Sequence, residues 1–183
     1  ASKASGDHLV RSWIKTYNFP AIITNCSNNY GPYQYPEKLV PLVINNCLIG
    51  KDIPVYGDGK QIRDWLYVDD HCTALERVLR IGQIGETYNI GGRNESTNIE
   101  LVNLVCATLD KFVKKKKEHP IKSFKELITF VKDRPGHDYR YSINAGKIES
   151  ALNWRPSVTL EIGIKKTVEW YLQNKNWMEN LNH

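Results

Sequence analysis

Long hydrophobic runs are missing from this sequence, whose 183 residues are 41% hydrophobic and 25% charged. The longest apolar stretches are only a few residues long, whereas a transmembrane helix needs roughly 20. No charged segment followed by an apolar core opens the chain, so we expect neither a membrane span nor a signal peptide. The composition is that of an ordinary globular protein and is too apolar for a disordered one.

Cysteine is scarce as well. The four residues Cys26, Cys47, Cys72 and Cys106 are far apart, with no C-x-x-C motif and no histidine pair at metal-ligand spacing. Free thiols in a cytoplasmic protein are therefore expected, with neither disulfides nor a metal site. Glycine-rich phosphate loops are also absent: without G-x-G-x-x-G or a P-loop, this chain taken alone lacks the Rossmann turn for a dinucleotide.

The net charge of +5 comes largely from the run Lys114–Lys117, with Lys111 and Lys122 beside it. Such a run is usually a solvated helix end, where lysine also suits the helix dipole. A surface for nucleic acid is the alternative. Because Phe112 is the one aromatic residue between Lys111 and Lys122 and none lies within the run itself, the aromatic residues do not alternate with the lysines as base stacking would need, and we expect no nucleic-acid partner.

Helical and extended patterns alternate along the chain, which predicts an α/β fold. Helices are predicted over residues 5–17, 37–49, 71–81, 98–115, 147–152 and 160–174. Strands are predicted over 21–24, 87–90 and 128–132, and a hairpin or two short strands within 51–71. The strands are few for a complete doubly wound sheet, so we expect an incomplete one.

Helix starts are marked by polar residues. Thr97 and Glu100 form a T-x-x-E capping box for the helix at 98, and Asp69 or Asp70 is a candidate cap for the helix at 71.

Two of the three loops that concentrate polar groups follow or interrupt strand patterns. Asn28 and Asn29 come after the predicted strand at 21–24, where α/β proteins bind ligands; stabilisation of a turn is the alternative. Arg63 lies in an apolar strand pattern, where it could bind a phosphate or carboxylate, or could pair with Asp64 or another nearby acid.

The third loop, DRPGHDYRY at residues 133–141, carries Asp133, Arg134, His137 and Arg140 around a Pro-Gly turn. Guanidinium and imidazole groups both donate to phosphoryl oxygens, so the loop is a candidate anion clamp; a solvated charged loop is the alternative. Together the three loops favour a site for an anionic, hydroxyl-rich ligand.

Several segments then follow one another: SKASGDHLVRSW, NCSNNYGPYQYPEKLVP, PVYGDGKQIRDWLYVDDH, YNIGG, DRPGHDYRYSIN and LNWRP. In this order they resemble the dTDP-glucose 4,6-dehydratases, a family of the extended short-chain dehydrogenase/reductase group. The resemblance covers nearly the whole chain. NNYGP and YVDDH are shared across the sugar-nucleotide enzymes of the group, whereas DRPGHD followed by RYSIN is what points to this family.

The resemblance implies the C-terminal part of a Rossmann-type fold: the last sheet strands plus a smaller mixed α/β substrate-binding domain. Residues 1–26 would end the NAD-binding Rossmann domain. Residues 27–183 would form mainly the nucleotide-sugar-binding domain, with 64–92 returning to the Rossmann sheet. The helix at 5–17, with Trp13 on its apolar face, matches a helix that builds a four-helix homodimer interface in the family.

Site residues are implied position by position. Lys3 matches the lysine of the family's Y-x-x-x-K motif, so the tyrosine would lie two positions before Ala1, on the same helix face. There Lys3 would lower the pKa of the tyrosine, making it a base, and bind the nicotinamide ribose of NAD. Asn28 matches a cofactor contact. The positions that match nucleotide-sugar contacts are Asn29, Lys38, Leu39, Pro54, Val55, Tyr56, Arg63 (diphosphate), Asn98, Asp133, Arg134 (phosphate) and His137.

The implied function is conversion of dTDP-glucose to dTDP-4-keto-6-deoxyglucose, with loss of water and recycling of NAD, in the synthesis of deoxysugars such as rhamnose. The glycine-rich loop, the catalytic tyrosine and the acidic pair for elimination lie upstream in the family, so we expect this polypeptide by itself to be inactive. Two alternatives stay open: another epimerase, decarboxylase or dehydratase of the group, and a non-catalytic nucleotide-sugar-binding module.

Overall fold

The computed structural model describes residues 1–114 and 121–181 and confirms the α/β class. The helices are α1 (Ser2–Tyr17), α2 (Leu39–Ile49), α3 (Val68–Ile81), α4 (Asn98–Phe112), α5 (Gly146–Leu152), α6 (Leu160–Gln173) and α7 (Lys175–Leu181), with a 3₁₀ helix at Phe124–Leu127. The strands are β1 (Ile23–Cys26), β2 (Asn28–Tyr30), β3 (Ile53–Tyr56), β4 (Ile62–Tyr67), β5 (Thr87–Ile90), β6 (Glu95–Thr97), β7 (Ile128–Val131) and β8 (Arg140–Tyr141). Residues 115–120, which hold most of the lysine run and the predicted end of a helix at 115, lie outside the described residues.

Within the described residues the strands form three small sheets, and β4 is the central strand of the largest. It pairs in parallel with β2 and β8 and antiparallel with β6. The other two sheets are the parallel pairs β1–β5 and β3–β7. The parallel strand predicted at 21–24 is thus confirmed, although it begins two residues later.

Pairing between distant segments explains where the sequence patterns were incomplete. Of the two alternatives for residues 51–71, the structure has two short strands, which pair with different partners. β2 falls inside the stretch predicted as a loop, because Asn28, Asn29 and Tyr30 carry no strand pattern of their own. The short β6 and β8 and the last helix, α7, were also not predicted.

Two hydrophobic cores share strand β4. Alternate residues of a strand point to opposite faces, so Trp65 and Tyr67 pack in a larger core with α2, α4 and α6. Leu66 packs in a smaller core with residues of α3, α5 and β5, among them Tyr88 and Ile90. The strand that carries Arg63 is therefore anchored from both sides.

The predicted capping box at the start of α4 is confirmed. The Thr97 hydroxyl accepts a hydrogen bond from the Glu100 amide at 3.2 Å, and the Glu100 carboxylate accepts one from the Thr97 amide at 2.8 Å. These reciprocal bonds fix the start of the helix directly after β6.

The predicted cap of α3 by Asp69 or Asp70 is wrong. The helix begins earlier, at Val68, and its N-cap residue has no side-chain hydrogen bond. The buried Asp70 carboxylate instead accepts bonds from the Ser157 amide and hydroxyl and from the Val158 amide, at 2.7 to 3.0 Å. A buried carboxylate needs such donors, and here they hold the segment before α6 against α3.

The four cysteines are free. Cys47 and Cys106 lie in the larger core with their sulfur atoms 4.0 Å apart, a proximity that their spacing of 59 residues did not reveal. Their mutual hydrogen bond and their burial raise the pKa of the Cys47 thiol, which keeps it protonated. In the described part of the chain, none of the helices has the length and apolarity to cross a bilayer.

Tyr30, at the end of β2, is 1% exposed and packs edge-on to Trp65 and Tyr67, with ring centroids 6.3 and 5.7 Å away. Its hydroxyl lies directly against Gly163 of α6, where a Cβ atom would come within 2.0 Å of the hydroxyl oxygen. The absence of a side chain at Gly163 is what lets α6 approach the strand.

We therefore expect Gly163→Ala to lower the free energy of unfolding by about 1–3 kcal/mol, because overpacking a core has that cost. Gly6→Ala is the matched control: Gly6 is also helical but has nothing within 4 Å of its Cβ position, so the higher helix propensity of alanine should leave stability unchanged or raise it by up to about 1 kcal/mol. Urea unfolding measures both. Equal effects of the two substitutions would contradict the packing argument.

Candidate functional site

Asn28 and Asn29 lie on β2, in register with Trp65 and Leu66 of β4. The Asn29 amide nitrogen donates to the Cys26 sulfur at 3.2 Å and to the Ser27 carbonyl at 3.1 Å. These bonds fix the orientation of the Asn29 side chain. The turn-stabilising role considered for Asn28 and Asn29 therefore applies to the side-chain nitrogen of Asn29 and not to its side-chain oxygen.

Buried polar atoms without partners surround this strand. Within the described residues, Ser27 Oγ, Asn29 Oδ1 and Gln34 Oε1 are buried and make no hydrogen bond. Buried polar groups are nearly always hydrogen-bonded, to protein, to water or to a ligand. The three oxygens therefore mark a place that suits a polar ligand.

The loop after β2 connects two predicted contact positions. The Gln34 side chain donates to the Asn29 carbonyl at 2.7 Å, which folds the loop back on the strand. Lys38 is the N-cap residue of α2, and its exposed ammonium pairs with Glu37 at 3.0 Å. Leu39, the first residue of α2, is half-buried.

Pro54, Val55 and Tyr56 form most of β3, but they do not face the same way. The Val55 side chain is 3% exposed in the larger core, so only its backbone is available to a ligand, whereas the Tyr56 ring is 46% exposed. After Tyr56 the chain turns at Gly57 and Gly59, both with φ in the left-handed region at 60° and 73°. The parallel pairing of β3 with β7 sets Tyr56 opposite Val131 and so places it beside the loop that follows β7.

Asp133 is the centre of that loop. Its carboxylate accepts bonds from the Arg134 amide, His137 Nδ1 and Gln61 Nε2, each at 2.8 Å. The His137 side chain is only 5% exposed, and its ring lies edge-on to Tyr56 with centroids 6.5 Å apart. Asp133 and His137 thus hold the loop in shape, and neither belongs to a freely solvated charged loop.

Opposing effects set the pKa of Asp133. Desolvation favours the neutral acid, but the hydrogen bonds from His137, the Arg134 amide and Gln61 outweigh it and hold the pKa below its ordinary value of 3.8. The carboxylate is therefore ionised at neutral pH and supports the loop as an anion.

Arg63 on β4 is 9% exposed. Its guanidinium donates to the Ile62 carbonyl at 2.7 Å and to the Asp138 carbonyl at 2.8 Å. Among the described residues no ion pair joins it to Asp64, whose carboxylate accepts from the Gly92 and Asn94 amides instead. The alternative of an Arg63–Asp64 pair is wrong, and since a guanidinium has five N–H donors, Arg63 retains donors beyond these two bonds.

Arg134 is exposed and lies over the Tyr56 ring, 5.8 Å from the ring centroid. It has no ion-pair partner in the described part of the chain, whereas the neighbouring Arg140 is bound to Glu95 at 2.6 Å. Arg134 is therefore the cation of this loop that is available to an anion.

Asn98, at the start of α4, is connected to these residues through its backbone amide, which donates to the Gln61 carbonyl at 3.0 Å.

Lys3 stands apart. It lies in the first turn of α1, is exposed, and has no hydrogen-bond or ion-pair partner within residues 1–114 and 121–181. The structure thus assembles Tyr56, Arg63, Asn98 and the 133–137 loop, and places Asn28 and Asn29 farther along the same strand pairing. Within residues 1–114 and 121–181, no hydrogen bond or ion pair joins these groups to the Lys3 side chain.

Sequence reasoning missed Gln61 and Gln34, which orient Asp133 and Asn29. Both lie within segments that carry the family resemblance, but no role was assigned to either of them. Their partners are 72 and 5 residues away, and only the folded chain reveals these contacts. Among the described residues, no group of three or more His, Cys, Asp or Glu side chains is arranged to hold a metal ion.

Comparisons with known proteins extend over this whole arrangement. A family model described as GDP-mannose 4,6 dehydratase matches residues 1–167. The dTDP-glucose 4,6-dehydratase of Shigella flexneri is 61% identical over 181 residues, which are 99% of this chain and 49% of that protein. The chain therefore spans about half the length of the curated relatives it matches.

Solved structures agree. The crystal structure of a dTDP-glucose 4,6-dehydratase from Bacillus anthracis in complex with NAD has a TM-score of 0.86 at 49% identity, covering 98% of this chain and 53% of that one. The enzyme of the same name from Streptomyces venezuelae, with NAD bound, has a TM-score of 0.87 at 44% identity, covering 98% and 52%. The resemblance seen in the sequence motifs is confirmed.

The pKa of Asp133 makes a pH-dependent contribution to stability. Because the folded-state pKa is lower than that of the unfolded chain, the contribution to stability is complete above about pH 5 and is lost as the pH falls through the folded value. The unfolding free energy of the wild type should fall as the pH drops from about 5 to about 2. In Asp133→Asn we expect this fall to be smaller, because the titrating carboxylate is gone. Urea unfolding across this range measures it, and parallel profiles for the two proteins would contradict the assignment.

Proposed function

The chain belongs to the GDP-mannose 4,6 dehydratase family, and we propose that it is the nucleotide-sugar-binding part of an NAD-dependent dTDP-glucose 4,6-dehydratase. The 61% identity to an enzyme of that name over 181 residues supports this substrate in preference to others. Because the chain spans about half of that relative, the activity is proposed for a protein that contains this chain together with the other half.

One observation carries the proposal: an available cation and an exposed aromatic ring are fixed side by side. Arg134 lies over Tyr56, and Asp133, His137 and Gln61 hold this pair through the hydrogen bonds of the loop. A nucleoside diphosphate offers a flat base for the ring and an anion for the guanidinium. We propose that Arg134 and Arg63 bind the diphosphate and that the β3 segment lies along the base.

NAD fits the residues present at the end of β2. The buried Ser27 Oγ has no partner among the described residues, and Asn28 follows it as the first residue of β2. In the proposed reaction NAD accepts hydride from C4 of the glucose and returns it at C6 after water is lost. Asn28 and the exposed ammonium of Lys3 would bind the cofactor, and Asn29 would bind the sugar nucleotide.

The proposed domain division follows the two cores. Residues 1–26 and the 64–92 region, with β1, β5 and α3, would belong to the NAD-binding domain. The larger core, with α2, α4 and α6, would belong to the nucleotide-sugar-binding domain. The 183-residue polypeptide on its own would bind the nucleotide sugar and would not convert it, because it spans only about half the length of the relative of that name.

A homodimer is proposed through α1. The helix has no buried residue, and its large apolar side chains, Leu9, Trp13 and Tyr17, are 63%, 53% and 69% exposed, with Phe19 beside them at 46%. The Trp13 ring packs on Tyr17 and Phe19 at 5.5 and 5.9 Å. A contiguous apolar surface of this kind is typical of an interface between subunits.

We expect this chain to bind dTDP-glucose and Arg134→Ala to weaken binding about tenfold or more, since a charge-assisted hydrogen bond to phosphate is lost. Arg140→Ala is the matched control: it removes an exposed arginine of the same segment whose charge is already bound to Glu95, and affinity should stay within about twofold. Isothermal titration measures both. An equal loss of affinity in both variants would refute the role of Arg134. The same samples with NAD are expected to form no 4-keto-6-deoxy product, and product formation would refute the expected inactivity of this chain alone.

For the dimer, which is proposed for the full-length protein that contains this chain, we expect light scattering to give twice the monomer mass for that wild-type protein and the monomer mass for its Trp13→Asp variant, because the substitution buries a charge in the apolar interface. Leu79→Asp is the control, since Leu79 is 85% exposed on α3, outside the α1 surface. A monomeric wild type, or dissociation by both substitutions, would be evidence against the α1 interface.

A further inference from the structure

We propose that Tyr171, on helix α6, is a positioning residue that determines where the Asn28–Asn29 end of β2 lies, acting through the loop 31–38. The inference rests on the proposed function, in which that strand end contacts cofactor and substrate. The inference also goes beyond the proposed function, because helices α6 and α7 carry none of the predicted contact residues and are here given a part in shaping the site.

Two hydrogen bonds connect Tyr171 to the strand. The Tyr171 hydroxyl donates to the Gln34 carbonyl at 2.7 Å, across 137 residues of sequence. The Gln34 side chain then donates to the Asn29 carbonyl, also at 2.7 Å. The same glutamine thus receives a bond from α6 and passes one to β2, so moving either end displaces the other.

The Tyr171 hydroxyl, which donates the first of these two hydrogen bonds, is held rigidly. Tyr171 is fully buried, at 0% exposure, and its ring packs edge-on to Trp170 with centroids 4.9 Å apart. Burial raises the pKa of the hydroxyl, so it remains a donor at all physiological pH values. A fixed phenol that donates to a loop carbonyl determines where the loop backbone lies.

Tyr33, one residue before Gln34, shows that the loop is held in a conformation it would not adopt alone. Its φ is 60°, in the left-handed region that aromatic residues avoid. Its side chain is largely exposed, yet its ring lies on Trp170 and Trp177, with centroids 4.6 and 5.6 Å apart. Strained backbone persists where surrounding contacts over-determine it, and here those contacts come from α6 and α7.

The loop so held lies between two groups of predicted site residues. Before it stand Asn28 and Asn29, and after it stand Lys38 and Leu39 at the start of α2. Asn29 Oδ1 and Gln34 Oε1 are both buried without partners among the described residues, so both are oriented for something other than protein. Tyr171 acts on these atoms through Gln34, without contacting the ligand itself.

The test uses Tyr171→Phe, which removes the hydroxyl and keeps the ring. Tyr88→Phe is the matched control, because Tyr88 is 2% exposed and its hydroxyl also bonds a backbone group, accepting from the Gln83 amide at 3.1 Å, in the other core. Both variants are expected to lose a similar, small amount of thermal stability. Only Tyr171→Phe should speed amide hydrogen exchange across residues 29–38 and weaken dTDP-glucose binding by about three- to tenfold.

A third variant, Gln34→Leu, cuts the second bond of the chain. Because the two bonds act in series, the double variant with Tyr171→Phe should bind dTDP-glucose no more weakly than the weaker single variant. Fully additive losses would show that the two residues act separately and would overturn the proposal.

The outcomes distinguish a failure of the proposed dTDP-glucose binding from a failure of the positioning role of Tyr171. If wild type binds no dTDP-glucose, the proposed function fails, and hydrogen exchange alone decides whether Tyr171 controls the loop. If wild type binds and Tyr171→Phe changes stability only, as Tyr88→Phe does, Tyr171 is merely structural and the positioning role is refuted. Faster exchange confined to residues 29–38 together with weaker binding supports it.

Discussion

Strand β4 is the constraint on which the rest of this structure depends. It accepts β2 and β8 in parallel and β6 antiparallel, and its alternate side chains enter both hydrophobic cores. Each of its neighbours leads to a part of the candidate site: β2 carries the two asparagines, β6 leads into α4 and Asn98, and β8 follows the Asp133 loop. A strand buried on both faces admits only one register with its neighbours, so the cores determine the geometry of a polar site at the edge of the sheet.

Three carboxylates then fix the connections around that strand, of which those of Asp64 and Asp70 are buried and that of Asp133 is partly exposed. Asp64 receives the Gly92 and Asn94 amides, Asp70 receives the Ser157 and Val158 amides, and Asp133 receives the Arg134 amide. In each case an acid near the sheet satisfies backbone donors of a segment that has no regular structure. Charge-assisted bonds of this kind are stronger than neutral ones, which is why irregular loops stay in place next to the site while leaving Arg134 available.

The proposed positioning role of Tyr171 is a second case in which a side chain holds the backbone of an irregular loop, here the loop after β2. There the loop is held by a neutral hydroxyl and a cluster of aromatic rings from the end of the chain. The site is thus assembled from the beginning, middle and end of the sequence, and its two halves are supported by different forces: ionic hydrogen bonds around β3 and β4, and aromatic packing around the loop after β2.

The sequence by itself determined the α/β class, most helix positions, the capping box at Thr97 and the family motifs. These features depend on the local spacing of residue types and on short contiguous motifs. It also identified Arg134, Tyr56 and Asn29 as candidate contacts through their motifs. Only the tertiary structure decided that β2 is a strand, that Asp70 holds a distant loop and caps no helix, and that Val55 faces the core. It also decided that Gln61 bonds Asp133, that Gln34 bonds Asn29 and that Tyr171 bonds Gln34. Each of these depends on a partner brought close by parallel pairing or core packing. Such contacts connect residues up to 137 positions apart, and no local pattern records them.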